Sequence, residues 1–558
     1  MKKAIATIMA VSTIACAAIS AGCTPEALEK VDETKTTLRI ANYNGGVGEA
    51  WLEKLADRFE EAYAEESLES GKTGVQVIID HQKNYSGREL QNSIKADTNN
   101  HLYFTQAVDY NMMANDGALA DITDLVKDTT GADGKKIIDK LSANKKSFLE
   151  KNGKYYAIPH YELYNGIQYD AGVFEEKKLY FGETFNPDGS RKFVASKVAK
   201  KSPGPDGIYD TYDDGLPSSY EEFYRLIKQM KDNDVIPFVW TGKSTHYTNM
   251  LVHTLYANYI GADGFDVLFN YAEKDIEIVT NYAGGVVQTE MQTLNKDTAY
   301  KVKSSAAMYY ALEFCQKIFT DSENYPSNCL GANFSHIQAQ QTLFFSGLSG
   351  KDKKVAMLID GSYSYNEAVE AKVLEQAKSE FPQTYTQKDI RYMPMPVQYS
   401  GTVTEGKGKA PTLVDTFKAY TFINANTKGA ALDAAKLFLS YAYTDEQLEK
   451  FTLETNGTVK GVSYDLASVA ENENLCNNGK YMLQMRSAAE QAGSLIFPFT
   501  GKRAFLANSA EFDLSTGGDF WAASQQNIMF NAFNGGMTAA QYFEQVQWTE
   551  KEWQAIIK

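Results

Sequence analysis

Thr37-Leu38-Arg39-Ile40-Ala41-Asn42-Tyr43 alternates side chains in the manner of a strand, and Asn44-Gly45-Gly46 stops it. From Glu49 the period changes: Leu52, Leu55, Phe59 and Tyr63 recur at three- and four-residue steps, one face of a helix. Val75–Asp80 (VQVIID) is a second, β-branched strand. Another helix is predicted over about Arg88–Ala96, and Leu102-Tyr103-Phe104 begins a third strand. Strands alternating with helices predict an α/β fold, a mainly parallel sheet covered on both faces. Ligands of such sheets bind beyond the carboxyl ends of the strands, so the loops after Tyr43, Asp80 and Val108 are expected to face a site.

Further along, the middle of the chain reads as mostly helical. Ser219 and Glu222 fit a capping box opening a helix over Tyr220–Lys231, and Pro237 is expected to end the segment after it. Met308–Phe319 and Ala430–Tyr443 are amphipathic helices. Phe181–Gly215, rich in Gly, Pro, Asp and Lys, reads as a turn-rich surface insertion. At roughly 100–200 residues per domain the length allows two to four domains or two large lobes.

Composition removes whole classes of function. Of 558 residues, 55 are basic and 71 acidic, and a net charge of −16 argues against a nucleic-acid partner. Five cysteines are too few for a disulfide-dense scaffold or a multi-cysteine zinc site. Six histidines, none in an HExxH arrangement, weaken a metallohydrolase reading. Neither a GxSxG elbow nor a P-loop occurs, so nucleophilic and phosphoryl-transfer chemistry lack a motif.

The amino terminus sets the expected compartment. Lys2 and Lys3 precede an uncharged run, Ala4–Ala21, which ends in Ser20-Ala21-Gly22-Cys23. The basic start and small residues before the break predict an export signal over residues 1–22. Ser-Ala-Gly-Cys resembles a bacterial lipobox, although Ile19 stands one step further out than the usual aliphatic residue. That resemblance implies that Cys23 is acylated and anchors the chain to the outer face of the cytoplasmic membrane. Residues 23–36 then read as a polar tether, and a negative body leaves the lipid as the only membrane contact.

Six further stretches follow one another in order. They are Lys154–Pro159 (KYYAIP), Ile167–Phe174 (IQYDAGVF), Leu216–Phe223 (LPSSYEEF), Phe345-Ser346-Gly347, Val355–Tyr363 (VAMLIDGSY) and Ala434–Phe438 (AAKLF). Together they resemble the maltose-binding-protein-like extracellular solute-binding proteins of carbohydrate ABC importers. Asp170 replaces the usual Asn, and Tyr363 stands where Trp is common. The resemblance implies two α/β lobes around a sugar cleft. Lobe one would hold residues 37–160 and 412–465, and lobe two 165–405 and 475–558, with 181–215 as the insertion. It places the first crossing at Pro159–Tyr164 and the second between about Val397 and Thr412. It also implies a monomer that hands an oligosaccharide to permease subunits and their ATPase, with no cofactor required.

A sugar offers a face of C–H groups and a rim of hydroxyls, so its site needs flat aromatics and polar side chains. Trp240 is expected as a platform in the second lobe, or else as a core anchor. The resemblance adds Tyr363 as a stacking aromatic, with Asp360 at the end of the same strand. Tyr43 and Asn44 end the first strand, and Asp109 and Tyr110 follow the third. Tyr85 lies after the second strand, His160, Tyr161, Glu162 and Tyr164 lie on the first crossing, and Trp521 is a late aromatic candidate.

Two functions of other classes compete: a surface glycoside hydrolase or polysaccharide lyase, with Glu162 and Asp109 as its carboxyl pair, and a glycan-binding adhesion module. Asp206, Asp210, Asp213 and Asp214 lie within nine residues and suggest a structural Ca²⁺ site, against a solvated Asp-Gly turn. Cys315 and Cys329 flank a short polar stretch and are candidates for a disulfide in an exported chain.

Overall fold

Thr36–Asn42 forms the first strand and lies inside a five-stranded sheet. The computed structural model describes residues 30–81, 85–244, 246–282, 286–397, 410–415, 418–497 and 528–556. In spatial order the strands are Val75–Asp80, Thr36–Asn42, Leu102–Thr105, Tyr420–Ile423 and Ile158–Pro159. The first three run parallel, as the helical connections between them require. The helix Ala50–Ala62 buries Trp51, Leu52, Leu55, Ala56 and Phe59, and Trp51 meets Phe104 edge-on with ring centroids 5.2 Å apart. The second helix is shorter than its sequence pattern, Gly87–Ser93.

A second sheet has the order Ile390–Met393, Asn165–Asp170, Lys354–Gly361, Val235–Val239. Only the last pair is parallel. Both sheets are therefore mixed, which corrects the mainly parallel expectation. In the first sheet the antiparallel strands are those where the chain leaves for, or returns from, the other lobe. Pro237 does not end a segment. It sits within Val235–Val239, an edge strand of this sheet, where its missing N–H costs no ladder bond.

Among the described residues three crossings join the lobes. The chain leaves the first sheet at Pro159, forms Tyr161–Glu162, and enters the second sheet at Asn165. It returns from Met393 through Leu413–Val414, which pairs with Leu495–Ile496, to Tyr420. Val459–Lys460 pairs with Tyr161–Glu162, and the helix Asn477–Gln491 beyond it packs on Ile390–Met393 of the second lobe. Leu413–Val414 thus belongs to a crossing and not to lobe one. The helices Ile528–Asn534 and Ala539–Gln545 pack on Ala306–Phe319, also in the second lobe.

The insertion is only partly a surface feature. Tyr180–Phe185 and Arg191–Val194 form a hairpin with Tyr180 and Phe181 buried. Tyr212 reaches a buried cluster with Tyr164, Tyr392, Leu413, Met482 and Met485, beside two crossings. At the next helix, Ser219 Oγ accepts from the Glu222 amide at 3.2 Å, and the Glu222 carboxylate accepts from the amide of Ser218 at 2.8 Å. No helix among the described residues is long and apolar enough to cross a membrane.

Candidate functional site

The strand Leu102–Thr105 ends at Gln106, and its carboxyl end lies beside the first two crossings. There Lys145, Phe148, Leu149, Pro159, Tyr161, Asp415, Lys418, Tyr420 and Phe497 line a small recess with a cavity volume of about 30 Å³. Tyr161 is held by its hydroxyl, which donates to Gln106 Oε1 at 2.7 Å. Lys145 Nζ lies 3.9 Å from the centre of the Phe497 ring. Burial raises the Asp109 carboxyl above the usual range, against the Met112 amide and the nearby charges of Lys418 and Lys151. Flat rings, an ammonium and a carboxylate thus converge between the crossings, which is the chemistry that a sugar's face and rim require.

A seam closes beside this recess. The short helix Ser364–Glu370 of the second lobe presents Tyr363, Asn366, Glu367 and Glu370 at three- and four-residue steps to residues 43–53 of the first. Gly46 lies against the Tyr363 ring, and its φ of +62° lets the loop turn there. Asn366, 2% exposed, donates to the Val47 carbonyl at 2.7 Å and accepts from Asn456 Nδ2 at 2.9 Å. Burial, and then the charge of Glu367, raises the Tyr43 pKa.

The predicted residues divide accordingly. Tyr43, Asn44 and Tyr363 lie at the seam, half-buried or buried. Asp360 sits beneath it at 2% exposure, accepting from Gln340 Nε2 at 3.3 Å, and burial together with Glu367 pushes its carboxyl far above the usual range. Asp109 caps the helix Tyr110–Asn115 by accepting from the Met112 amide at 2.9 Å. Tyr110 donates to the Leu149 carbonyl at 2.5 Å among Phe148 and Tyr420, and is core. Tyr85 hydrogen-bonds Asp80 and Asn100, which turns its hydroxyl to the sheet's edge.

Three expectations are corrected. Trp240 is no platform: it is 1% exposed and packs against Phe319, Tyr325 and Phe530. His160 is buried beneath Trp51 and Phe104, with Nδ1 2.8 Å from Lys460 Nζ, and reaches no cleft. Glu162 is an internal anchor. It accepts from Lys145 at 2.9 Å, Arg486 at 2.8 Å and the Tyr164 hydroxyl at 2.7 Å. Although burial opposes it, Arg486 and Lys145 hold its carboxyl down to about 2. With both oxygens committed to these partners and only 2% exposure, Glu162 is closed to a substrate and does not form a hydrolytic pair with Asp109.

The acidic loop and the cysteines also depart from expectation. Asp213 Oδ2 accepts from the Asp206 amide at 2.9 Å, and Asp214 Oδ2 from the Asp210 amide at 2.9 Å. Asp206, Asp213 and Asp214 thus each turn a carboxylate oxygen to a backbone amide within the loop. Burial and the Asp206 charge raise Asp213 to about 7. Cys315 and Cys329 are both free and buried, one on the helix Ala306–Phe319 and the other in the turn Ser327–Leu330. Cys23 and Trp521 lie outside the described residues. Asp415, Lys418 and Phe497 were not singled out in the sequence. They sit between crossings that are distant in the chain, so their only sequence signal was nearness to the second crossing.

No protein-family model matches this sequence, and no curated protein matches it. Solved structures match its fold. A chitin oligosaccharide binding protein aligns over 94% of this chain and 100% of its own, at 15% identity and a TM-score of 0.55. A structure from work on xylan utilization by the thermophilic bacterium Caldanaerobius polysaccharolyticus covers 92% and 99%, at 15% identity and 0.54. The maltose-bound MalE3 of T. maritima covers 93% and 100%, at 13% identity and 0.51. The fold is that of the two-lobe binding proteins. At these identities the likeness extends to the fold, and the ligand has to be argued from this chain's own side chains.

Proposed function

We propose that the chain is the carbohydrate receptor of an ABC importer, capturing an oligosaccharide between its lobes and passing it intact to a permease pair driven by an ATPase. The observation that carries this reading is the recess at the crossings. Phe497, Tyr161 and Tyr420 line it with aromatic rings and Asp415 and Lys418 with charged groups, while Lys145 is held by Glu162 at 2.9 Å and the Gly461 carbonyl at 2.8 Å. Shared fold with proteins described as binding chitin oligosaccharide and maltose supports a sugar as the ligand class. In this reading an acylated Cys23 is the sole membrane anchor and the protein works as a monomer. Binding and release follow from lobe closure, since a ligand that touches both lobes favours the closed state.

A glycan array followed by calorimetry on the hits tests the function. One oligosaccharide class should bind reversibly at one per chain and be recovered unaltered. Shortened or unsaturated products would reveal an enzyme, and binding of no glycan would remove the carbohydrate reading. Glycan binding without any change in compactness would favour an adhesion module.

A further inference from the structure

Two carboxyl groups of the second lobe meet beneath the seam. Asp360 stands next to last in the strand Lys354–Gly361, and Glu367 lies on the helix Ser364–Glu370 that follows. Gln340, fully buried on the helix His336–Phe345, donates from Nε2 to both, to Glu367 Oε2 at 2.7 Å and to Asp360 Oδ2 at 3.3 Å. A single amide nitrogen thus holds oxygens of two acids together. Asp360 also accepts from the Gly361 amide at 2.7 Å, and among the described residues no cation pairs with it. His336 Nε2 lies 3.4 Å from Glu367 Oε1, the oxygen that Gln340 leaves. Among the described residues the other titratable groups around the pair are the hydroxyls of Tyr247 and Tyr363, raised by burial and then by charges that include both acids. Tyr43 of the first lobe responds to Glu367 as well.

We propose that Asp360 and Glu367 form a proton-operated latch on lobe closure: one proton held by the pair keeps the seam helix seated on the first lobe, and its loss drives the helix away. This regulation rests on the reading that the lobes close on a ligand. Carboxylates this close repel when both are ionised, so one keeps its proton to higher pH. Asp360 is that one, because burial and then the Glu367 charge hold its proton far above the usual carboxyl range. Glu367 belongs to the helix whose Asn366 donates to the Val47 carbonyl of the first lobe at 2.7 Å. Repulsion between strand and helix therefore acts on the contact that joins the lobes. Opening admits water to the pair, and there the same repulsion is weaker. The closed state thus binds the extra proton, so closure weakens as pH rises from the ordinary carboxyl range through the raised value of Asp360.

Small-angle scattering of the full chain without ligand, from about pH 6 to about pH 8.5, tests the latch independently of any sugar. Wild type should expand as pH rises, with the ratio of open to closed molecules growing by up to about ten-fold per pH unit, the slope for one proton. Asp360→Asn keeps the shape without the charge and should stay compact throughout. Glu367→Gln removes the second charge and should lose the expansion too; should Asp360→Asn not fold, this variant decides by the same outcomes. Infrared difference spectra should show the C=O band of a protonated carboxyl in compact wild type and lose it in Asp360→Asn. A wild-type radius that is constant over this range would overturn the latch, as would expansion of the variants in step with wild type. If these shifts hold and the array finds no glycan, the carbohydrate reading falls and the latch stands.

Discussion

Trp240 and Phe497 are both large aromatics near strand ends, yet they do opposite work. Trp240 lies beneath Phe319, Tyr325 and Phe530, whereas Phe497 is half-buried at the mouth of the recess against Lys145. Trp240→Ala should cost about 3–5 kcal/mol of stability. Phe497→Ala should leave the melt nearly unchanged and weaken oligosaccharide binding by about 1–3 kcal/mol. Thermal melts run beside calorimetry read both, and the reverse pattern would move the site to Trp240. Local sequence could not separate them, because Ile236–Trp240 reads equally well as a strand leading to a platform and as a strand leading into core. Glu162 shows the same limit: a carboxylate on a crossing looks like a ligand contact until Lys145 and Arg486 arrive from distant parts of the chain. Its lowered pKa means that the unfolded chain binds the extra proton. The stabilisation is therefore complete above about 4.5 and is lost as pH falls toward about 2. Glu162→Gln should remove that acid-sensitive step from the stability profile. It should also destabilise the protein by about 3–5 kcal/mol at neutral pH, since two buried cations lose their counter-charge. Denaturant melts at a series of pH values check both.

At the scale of elements, period alone sufficed where a segment's face was decided locally. The first strand, the helix with Leu52, Leu55 and Phe59, and the helix capped by Ser219 were legible for that reason. Strand direction was not, since Tyr420–Ile423 pairs antiparallel with Leu102–Thr105 only because it arrives from the other lobe. Pro237 misled for a related reason: a proline breaks a central strand but is tolerated at an edge, and edge position is a tertiary fact. The seam helix Ser364–Glu370 was invisible in the sequence beyond Gly361-Ser362-Tyr363 before it. Its Asn366 joins the lobes through Val47 and Asn456. Asn366→Ala leaves the buried Val47 carbonyl and the half-buried Asn456 amide unpaired in the closed state, at a cost of about 1–3 kcal/mol. Apparent affinity for the oligosaccharide should fall about 5- to 150-fold, and the ligand-free protein should scatter as a more open particle. Unchanged affinity and scattering would mean that the seam plays no part in closure.

For the whole molecule, the expected lobe boundaries imply a third passage after residue 465, and among the described residues it runs by way of Val459–Lys460, which joins Tyr161–Glu162 before the chain returns to the second lobe. Tyr161–Glu162 pairs with Val459–Lys460 and Leu413–Val414 with Leu495–Ile496, so bending of the lobes is expected about these paired strands. Membrane attachment is a separate property of the chain. Cys23→Ser should release the protein from membranes and leave sugar affinity as it was, because the fold starts near residue 36 and acylation is the one anchor proposed. Detergent partitioning decides that, and continued sedimentation with membranes would contradict the lipid anchor. The central claim is capture by closure. Small-angle scattering during titration with the array's best oligosaccharide measures it directly. The radius of gyration should fall and saturate at one ligand per chain. A ligand that binds and leaves the radius unchanged would contradict capture between the lobes.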